Sequence, residues 1–176
     1  MAQPVARNGT AKRRRVVKKS NYNAKDLMLG SKETSLLVET YLGRVSPLEC
    51  DHLGHMNVQF YVAKVSDAAW HVMASIGITP AFIRERRQAP AAVKQEIAYL
   101  KELLAGDLVR MESGVLEASE RKITFFHRLR KIETDQVVMT SKVFTVNMDL
   151  DARRSAPLDA GVLARARERL LAEGSL

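Results

Sequence analysis

Between residues 58 and 76 apolar side chains recur at intervals of three and four: Val58, Tyr61, Val62, Val65, Ala69, Val72, Met73 and Ile76. Gln59, Lys64, Ser66, Asp67, His71 and Ser75 fall largely between them. That period marks an amphipathic helix, and a stripe of this length needs a large partner surface. Asn57 is a suitable N-cap, because its side-chain oxygen can accept from a free amide of the first turn. Gly77, with Pro80 beyond it, is the matching stop signal. Trp70 adjoins the stripe and is expected at its edge.

Elsewhere the period shortens to two, the repeat of a strand. Residues 36–45 (LLVETYLGRV) predict a strand that ends before Pro47. Residues 91–101 (AAVKQEIAYLK) predict another, with Val93, Gln95, Ile97 and Tyr99 on one face. The runs 108–119, 122–131 and 136–147 predict three more, separated by turn signals at 105–107 and 132–135. The intervening IRERRQAP is expected to be a basic connector. A last helical run starts at Asp159, carries Val162, Leu163, Ala166 and Leu170 on one side and has Gly174 near its end. The order is strand, loop, long helix, four strands, short helix. It implies an α+β domain in which a long central helix is wrapped by a curved five-stranded antiparallel sheet. One sheet face or edge is left to meet a second copy of the chain.

Charge divides the chain more sharply than its formal net of +8 suggests. Residues 1–33 hold nine Lys or Arg against two acids, whereas residues 34–176 hold nineteen against eighteen. The expected organisation is therefore a basic, disordered tail over 1–33, one domain over 34–150, and a linker with a short peripheral helix over 151–176. The tail is too poor in apolar residues to offset the entropy of ordering it. Its KRRRVVKK block would attract an anionic partner, so nucleic acid would be engaged only there. An over-long start, with translation beginning at Met28, explains the tail equally well. No run has the length of a membrane span and no apolar segment follows the tail's charges, so neither membrane insertion nor a secretory signal is expected. The single cysteine, Cys50, excludes an internal disulfide framework and fits a reducing, cytoplasmic setting.

Chemistry concentrates in Pro47 to Asn57, PLECDHLGHMN, where two acids, two histidines and a helix cap precede the long helix. Free amides and the dipole at a helix start stabilise an anionic oxygen. A nearby carboxylate would activate water or attack directly, so the stretch suits acyl transfer. Asp51 is the first candidate, although an aspartate there also serves simply as a loop acceptor. His55 either places the substrate or is held by backbone groups, while Glu49 and His52 have weaker claims and are expected to face solvent. Gly54 supplies a backbone conformation or a close approach that larger residues deny. The ligand spacing matches no well-marked zinc pattern, and neither a metal nor a cofactor is expected.

With Glu49, Asp51, Gly54, His55, Asn57 and Tyr61 spaced as in ECDHLGHMNVQFY, the chain resembles the 4-hydroxybenzoyl-CoA thioesterase-like branch of the hotdog acyl-CoA thioesterase superfamily over roughly residues 36–147. The resemblance implies hydrolysis of an acyl-CoA thioester at sites between two subunits, in a homodimer or homotetramer. Asp51 would be nucleophile or general base and the Val58 amide the oxyanion donor. Gly54, His55 and Asn57 would shape the loop, and Tyr61 would line or support the pocket, with Val62 a further lining position. A second asparagine common in the family is replaced by Val58, whose main-chain amide survives. A related branch uses an acid inside the helix, here Asp67. Loops close to this one also occur in thioesterases of carnitine or betaine metabolism, which makes a short cationic acyl group a candidate. Arg84, Arg86 and Arg87 would meet CoA phosphates, or serve only solubility. His127, Arg128, Arg130 and Lys131 form a second basic patch of the same ambiguity, with His127 expected to face the interior. Two other functions compete: a hotdog dehydratase using His55 with Asp67, and a nucleic-acid-binding protein using Arg13, Arg14, Arg15, Lys18 and Lys19.

Overall fold

A computed structural model describes residues 36–172, so the basic segment 1–33 and Gly174 lie outside the described residues. Five strands form one antiparallel sheet: β1 (Val38–Arg44), β2 (Gln88–Tyr99), β3 (Leu108–Ala118), β4 (Lys122–Lys131) and β5 (Gln136–Asp149). Their order is β1-β3-β4-β5-β2, and the two-residue β6 (Arg154–Ser155) pairs with the end of β5. The sheet curves around α1 (Val58–Ser75), the expected hotdog arrangement. Two further helices, α2 (Pro80–Arg86) and α3 (Ala160–Glu168), follow α1 and β6. Among the described residues no helix is long and apolar enough to cross a membrane.

The helix forms where its period and caps predict. Asn57 accepts from the Gln59 amide at 3.0 Å, and Gly77 leaves the helix at φ +92°, a conformation that side chains disfavour. The buried face holds Tyr61, Val65, Ala68 and Val72. At the helix start these pack with Met56, Met111, Leu129 and Met139. At its end Val72 and Ile76 pack with Val115, Ile123 and Phe125 and with Val162 and Ala166 of α3. Each such side chain contributes about 1.5–3 kcal/mol by leaving water. Polar residues separate the two clusters on the sheet: Thr40 bonds Ser113 at 2.6 Å, and Ser113 bonds His127 Nδ1 at 2.7 Å. His127 does face the interior, lying between Phe125 and Leu129 on the inner side of β4, but its Nε2 is buried without a partner among the described residues.

Four expectations need correction. The first half of the basic connector is helical, because Thr79 caps α2 through the Phe82 amide and Pro80 fills its first position. The following strand begins at Gln88 and contains a bulge between Ala92 and Lys94. Val93 is the extra residue there and is 65% exposed, so it leaves the row of Gln95, Ile97 and Tyr99. Val58 and Val62 belong to the apolar stripe by period but are 55% and 40% exposed, whereas Lys64, placed among the polar positions, is buried. Glu49, expected to face solvent, forms a close ion pair with that lysine.

Candidate active site

The loop before α1 closes on itself. A 3-10 turn at Pro47–Glu49 is capped by Ser46, whose amide donates to Glu49 Oε2 at 2.9 Å. Asp51 N donates to His55 O and Gly54 N to Asp51 O, giving a tight turn in which Gly54 has φ +83°. A Cβ on Gly54 would meet nothing within 4 Å, so the backbone angle accounts for this glycine and close packing does not. Met56 N then donates to Leu103 O, and Asn57 N to Glu49 O at 2.8 Å, which brings both ends of the loop against the core.

Asp51 is fixed at both carboxylate oxygens. Oδ1 accepts from the Leu53 amide at 2.9 Å and Oδ2 from Asn57 Nδ2 at 2.8 Å. These two bonds, aided by His52 and His55, hold its carboxyl below the usual value of 3.8, so it is ionised at neutral pH. Asn57 thus binds Asp51 with one end of its amide and caps α1 with the other. Val58, the first helical residue, follows directly, and helix geometry leaves its N–H without an intrahelical acceptor.

Beside this loop lies a cleft of about 200 Å³ lined by His55, Met56, Val58, Tyr61, Tyr99 and Leu100, with Lys101 and Glu102 at its polar end. Tyr61 and Tyr99 meet edge to face at 5.2 Å between ring centres. Burial pushes the Tyr61 hydroxyl up to about 12, against a backbone hydrogen bond at Leu103, so the phenol stays neutral. His55 Nε2 stands 3.8 Å from Glu102 Oε1. Tyr99, Leu100, Lys101 and Glu102 are lining residues that sequence pattern missed. Tyr99 ends the edge strand β2 and the others follow it, where the Leu100 and Lys101 amides both donate to Val138 O and Leu103 O accepts from the Met56 amide just before the helix start.

The remaining candidates lie elsewhere. Asp67 is exposed on α1, nine residues and roughly 13 Å along the axis from Val58. Arg84, Arg86 and Arg87 lie past the far end of α1, where Arg87 binds Asp151 through two nitrogens and Arg86 reaches Asp159 at 4.0 Å. Asp151 holds the Arg87 guanidinium above its usual range. In the second basic patch Arg128 and Arg130 share Glu112, and Lys131 binds Asp107 at 2.6 Å. Those cations are therefore already compensated. Cys50 packs against the core near the helix start and its thiol lies 3.8 Å from Ser46 O.

A long helix inside a curved β1-β3-β4-β5-β2 sheet, with an ionised aspartate tied to the helix cap, defines a hotdog-type protein with a loop suited to acyl transfer. Residues 45–166 match the model of the thioesterase-like superfamily, and the chain belongs to that family. A betainyl-CoA thioesterase of Pseudomonas aeruginosa is 27% identical over 131 residues, 74% of this chain and 82% of that protein. An L-carnitine dehydrogenase/betainyl-CoA thioesterase of Rhizobium meliloti is 27% identical over 138 residues. The match covers 78% of this chain but only 27% of that longer relative. Solved structures agree on the fold. A hypothetical protein of Staphylococcus aureus in complex with CoA has a TM-score of 0.71 at 18% identity, over 81% of this chain and 91% of that one. A 1,4-dihydroxy-2-naphthoyl-CoA thioesterase of Synechocystis has a TM-score of 0.64 at 17% identity, over 73% and 94%.

Proposed function

We propose that this protein hydrolyses an acyl-CoA thioester to a carboxylic acid and free CoA, with Asp51 as the acting carboxylate. The observation that carries the proposal is the shared tether. Asn57 holds an ionised carboxylate and caps the helix whose first amide, at Val58, is next in the chain. As general base, Asp51 takes a proton from water while the water oxygen bonds to the thioester carbon. The Val58 amide stabilises the resulting oxyanion, the C–S bond breaks, and the departing thiolate takes up a proton. As nucleophile, Asp51 would instead bond to the thioester carbon and expel CoA thiolate as the C–S bond breaks, leaving a mixed anhydride that water hydrolyses to the acid and free Asp51. Gly54 and His55 shape the loop, Tyr61 lines the cleft beside Val58, and Val62, one turn after Val58, is exposed and outside that lining. Asp67 is too far along α1 to act with His55 in one chain, which disfavours dehydration. Free-thiol release from a panel of short, cationic, aromatic and medium-chain acyl-CoA esters tests the proposal, and no release from any of them would refute it.

The betainyl-CoA relatives support a short cationic acyl group, and the Tyr61–Tyr99 cleft suits one. A trimethylammonium group against aromatic faces gains about 0.5–2 kcal/mol, and the lining carries Glu102 to offset its charge as well as Lys101. The expected result is a several-fold or greater preference for betainyl-CoA over its uncharged isostere, 3,3-dimethylbutanoyl-CoA, in kcat/KM. Tyr99→Leu should lower that ratio. Equal rates on the two esters would discard the cationic specificity and leave hydrolysis standing.

A second copy completes the proposed site. β2 is a twelve-residue sheet edge on which Val93 is exposed, as are Tyr99 and Leu100 at the cleft. Such an edge is suited to pairing with its equivalent. Arg84, Arg86 and Arg87 would then serve CoA bound at another copy's loop, since they lie far from their own. Sedimentation is expected to give a homodimer or a homotetramer, and a stable monomer would remove the basis for a shared site.

A further inference from the structure

We propose that Lys64 and Glu49 are positioning residues that set the Asp51 carboxylate through the helix cap, an inference that rests on the thioesterase proposal above. Lys64 is the seventh residue of α1, is 4% exposed, and reaches back across fifteen positions to Glu49 Oε1 at 2.6 Å. Its ammonium also lies 5.4 Å from the centre of the Tyr41 ring. Glu49 in turn spends its remaining hydrogen-bonding atoms on the loop and its cap. Oε2 takes the Ser46 amide, its own amide donates to Ser46 O, and its carbonyl takes the Asn57 amide at 2.8 Å. Asn57 then passes its side-chain amide to Asp51 Oδ2. An unbroken path therefore runs from the second turn of α1, through the 3-10 turn and the cap, to the proposed catalytic group.

Stability alone does not call for this pair. Withdrawing a lysine and a glutamate from water is costly, and an apolar pair of similar volume is often as stable or more so. Burial raises the Glu49 carboxyl, but the Lys64 hydrogen bond, the Ser46 amide and the charges of Lys64 and Arg44 outweigh it, so Glu49 stays ionised. An apolar pair would fill the same space without directing the carbonyl of Glu49 at the Asn57 amide. What the ion pair adds is direction, which matters because a displacement of about 1 Å at a reacting group can cost roughly a hundredfold in rate.

Three variants separate positioning from packing: Lys64→Met, Glu49→Gln and the double variant Lys64→Met/Glu49→Met. Each is examined for denaturation midpoint, for kcat and KM on the panel's best ester, and for the Asp51 carboxyl titration by NMR. Lys64→Met is expected to lower kcat roughly 10- to 100-fold with KM nearly unchanged. The Asp51 titration should move up towards 3.8 as the Asn57 bond loosens. Glu49→Gln keeps one side-chain acceptor for the Ser46 amide but sets its NH2 against the Lys64 ammonium, so it too should lower kcat and raise the Asp51 titration. The double variant should recover the midpoint without recovering kcat or the Asp51 titration. The inference is overturned if kcat and the titration follow the midpoint in every variant, or if both stay at parental values. Should the parent release no thiol at all, the thioesterase proposal falls, while the Asp51 titration still decides whether the tether exists. A Lys64→Met protein that does not fold leaves the other two variants to decide between the same outcomes.

Discussion

Asp51→Asn is expected to fold like the parent and to release thiol 10²- to 10⁴-fold more slowly, the usual range for loss of a positioned general base. That range corresponds to about 3–5 kcal/mol of transition-state stabilisation. The fold should survive because the Asp51 side chain makes loop contacts and takes no part in the core. Asparagine retains an oxygen to accept from the Leu53 amide. Against Asn57 the new amide sets donor opposite donor, a local conflict at a partly exposed position. KM should change little, because the substituted group acts on the reacting carbon and the acyl cleft beside it is untouched. The pH dependence provides a second check. Since its hydrogen bonds hold the Asp51 carboxyl below 3.8, the parent should keep a flat kcat/KM across neutral pH, with its acid limb below that value. Equal thiol release by parent and variant would point away from Asp51 and towards Asp67.

The fold was largely legible because its main signals are local. The period of residues 58–76, the Asn57 cap and the Gly77 stop lie within a turn or two of the backbone they control. The same holds for β5, which alternates over most of its length, whereas residues 113–115 of β3 and 123–127 of β4 are buried without a break. α2 was missed although its signals, Thr79 and Pro80, are equally local, because the density of arginines suggested a solvated connector. In the site, Asp51, Gly54 and Asn57 could be singled out, since each acts on atoms within a few residues. Lys64 could not be. A lysine on an amphipathic helix counts as polar by pattern, and its burial depends on a partner fifteen residues earlier that only the closed loop brings near. Val58 and Val62 fail in the opposite sense: the apolar stripe is wider than the surface one curved sheet covers, which leaves them exposed. The cleft residues Tyr99, Lys101 and Glu102 were illegible for a third reason, because their place depends on how β2 ends against Val138.

His127 should make the folded chain sensitive to mild acid. It is fully buried between the two core clusters, and burial lowers its pKa from 6.5 to about 4. Nδ1 is taken by Ser113, while Nε2, which would have to carry a proton in the charged form, has no acceptor among the described residues. The folded state therefore binds fewer protons than the unfolded chain between these two values, and stability rises with pH across that window. The contribution is complete above about pH 6.5 and is lost as the pH falls towards 4. The shift of about 2.5 pH units amounts to about 3 kcal/mol at its limit. Carboxylates such as Glu49 also weaken in acid, so the slope of the parent alone would not identify the histidine. His127→Gln removes the titration while keeping an amide to meet Ser113, and it should leave the carboxylate terms common to both proteins. It is expected to be less stable at pH 7, because one buried hydrogen bond is disturbed, by about 1–3 kcal/mol. Between pH 7 and pH 4.5, however, the parent should lose about 2 kcal/mol more than the variant in urea unfolding. Parallel losses would mean that the imidazole finds an acceptor when charged. The buried polar row of Thr40, Ser113 and His127 would then have to open before the rest of the core.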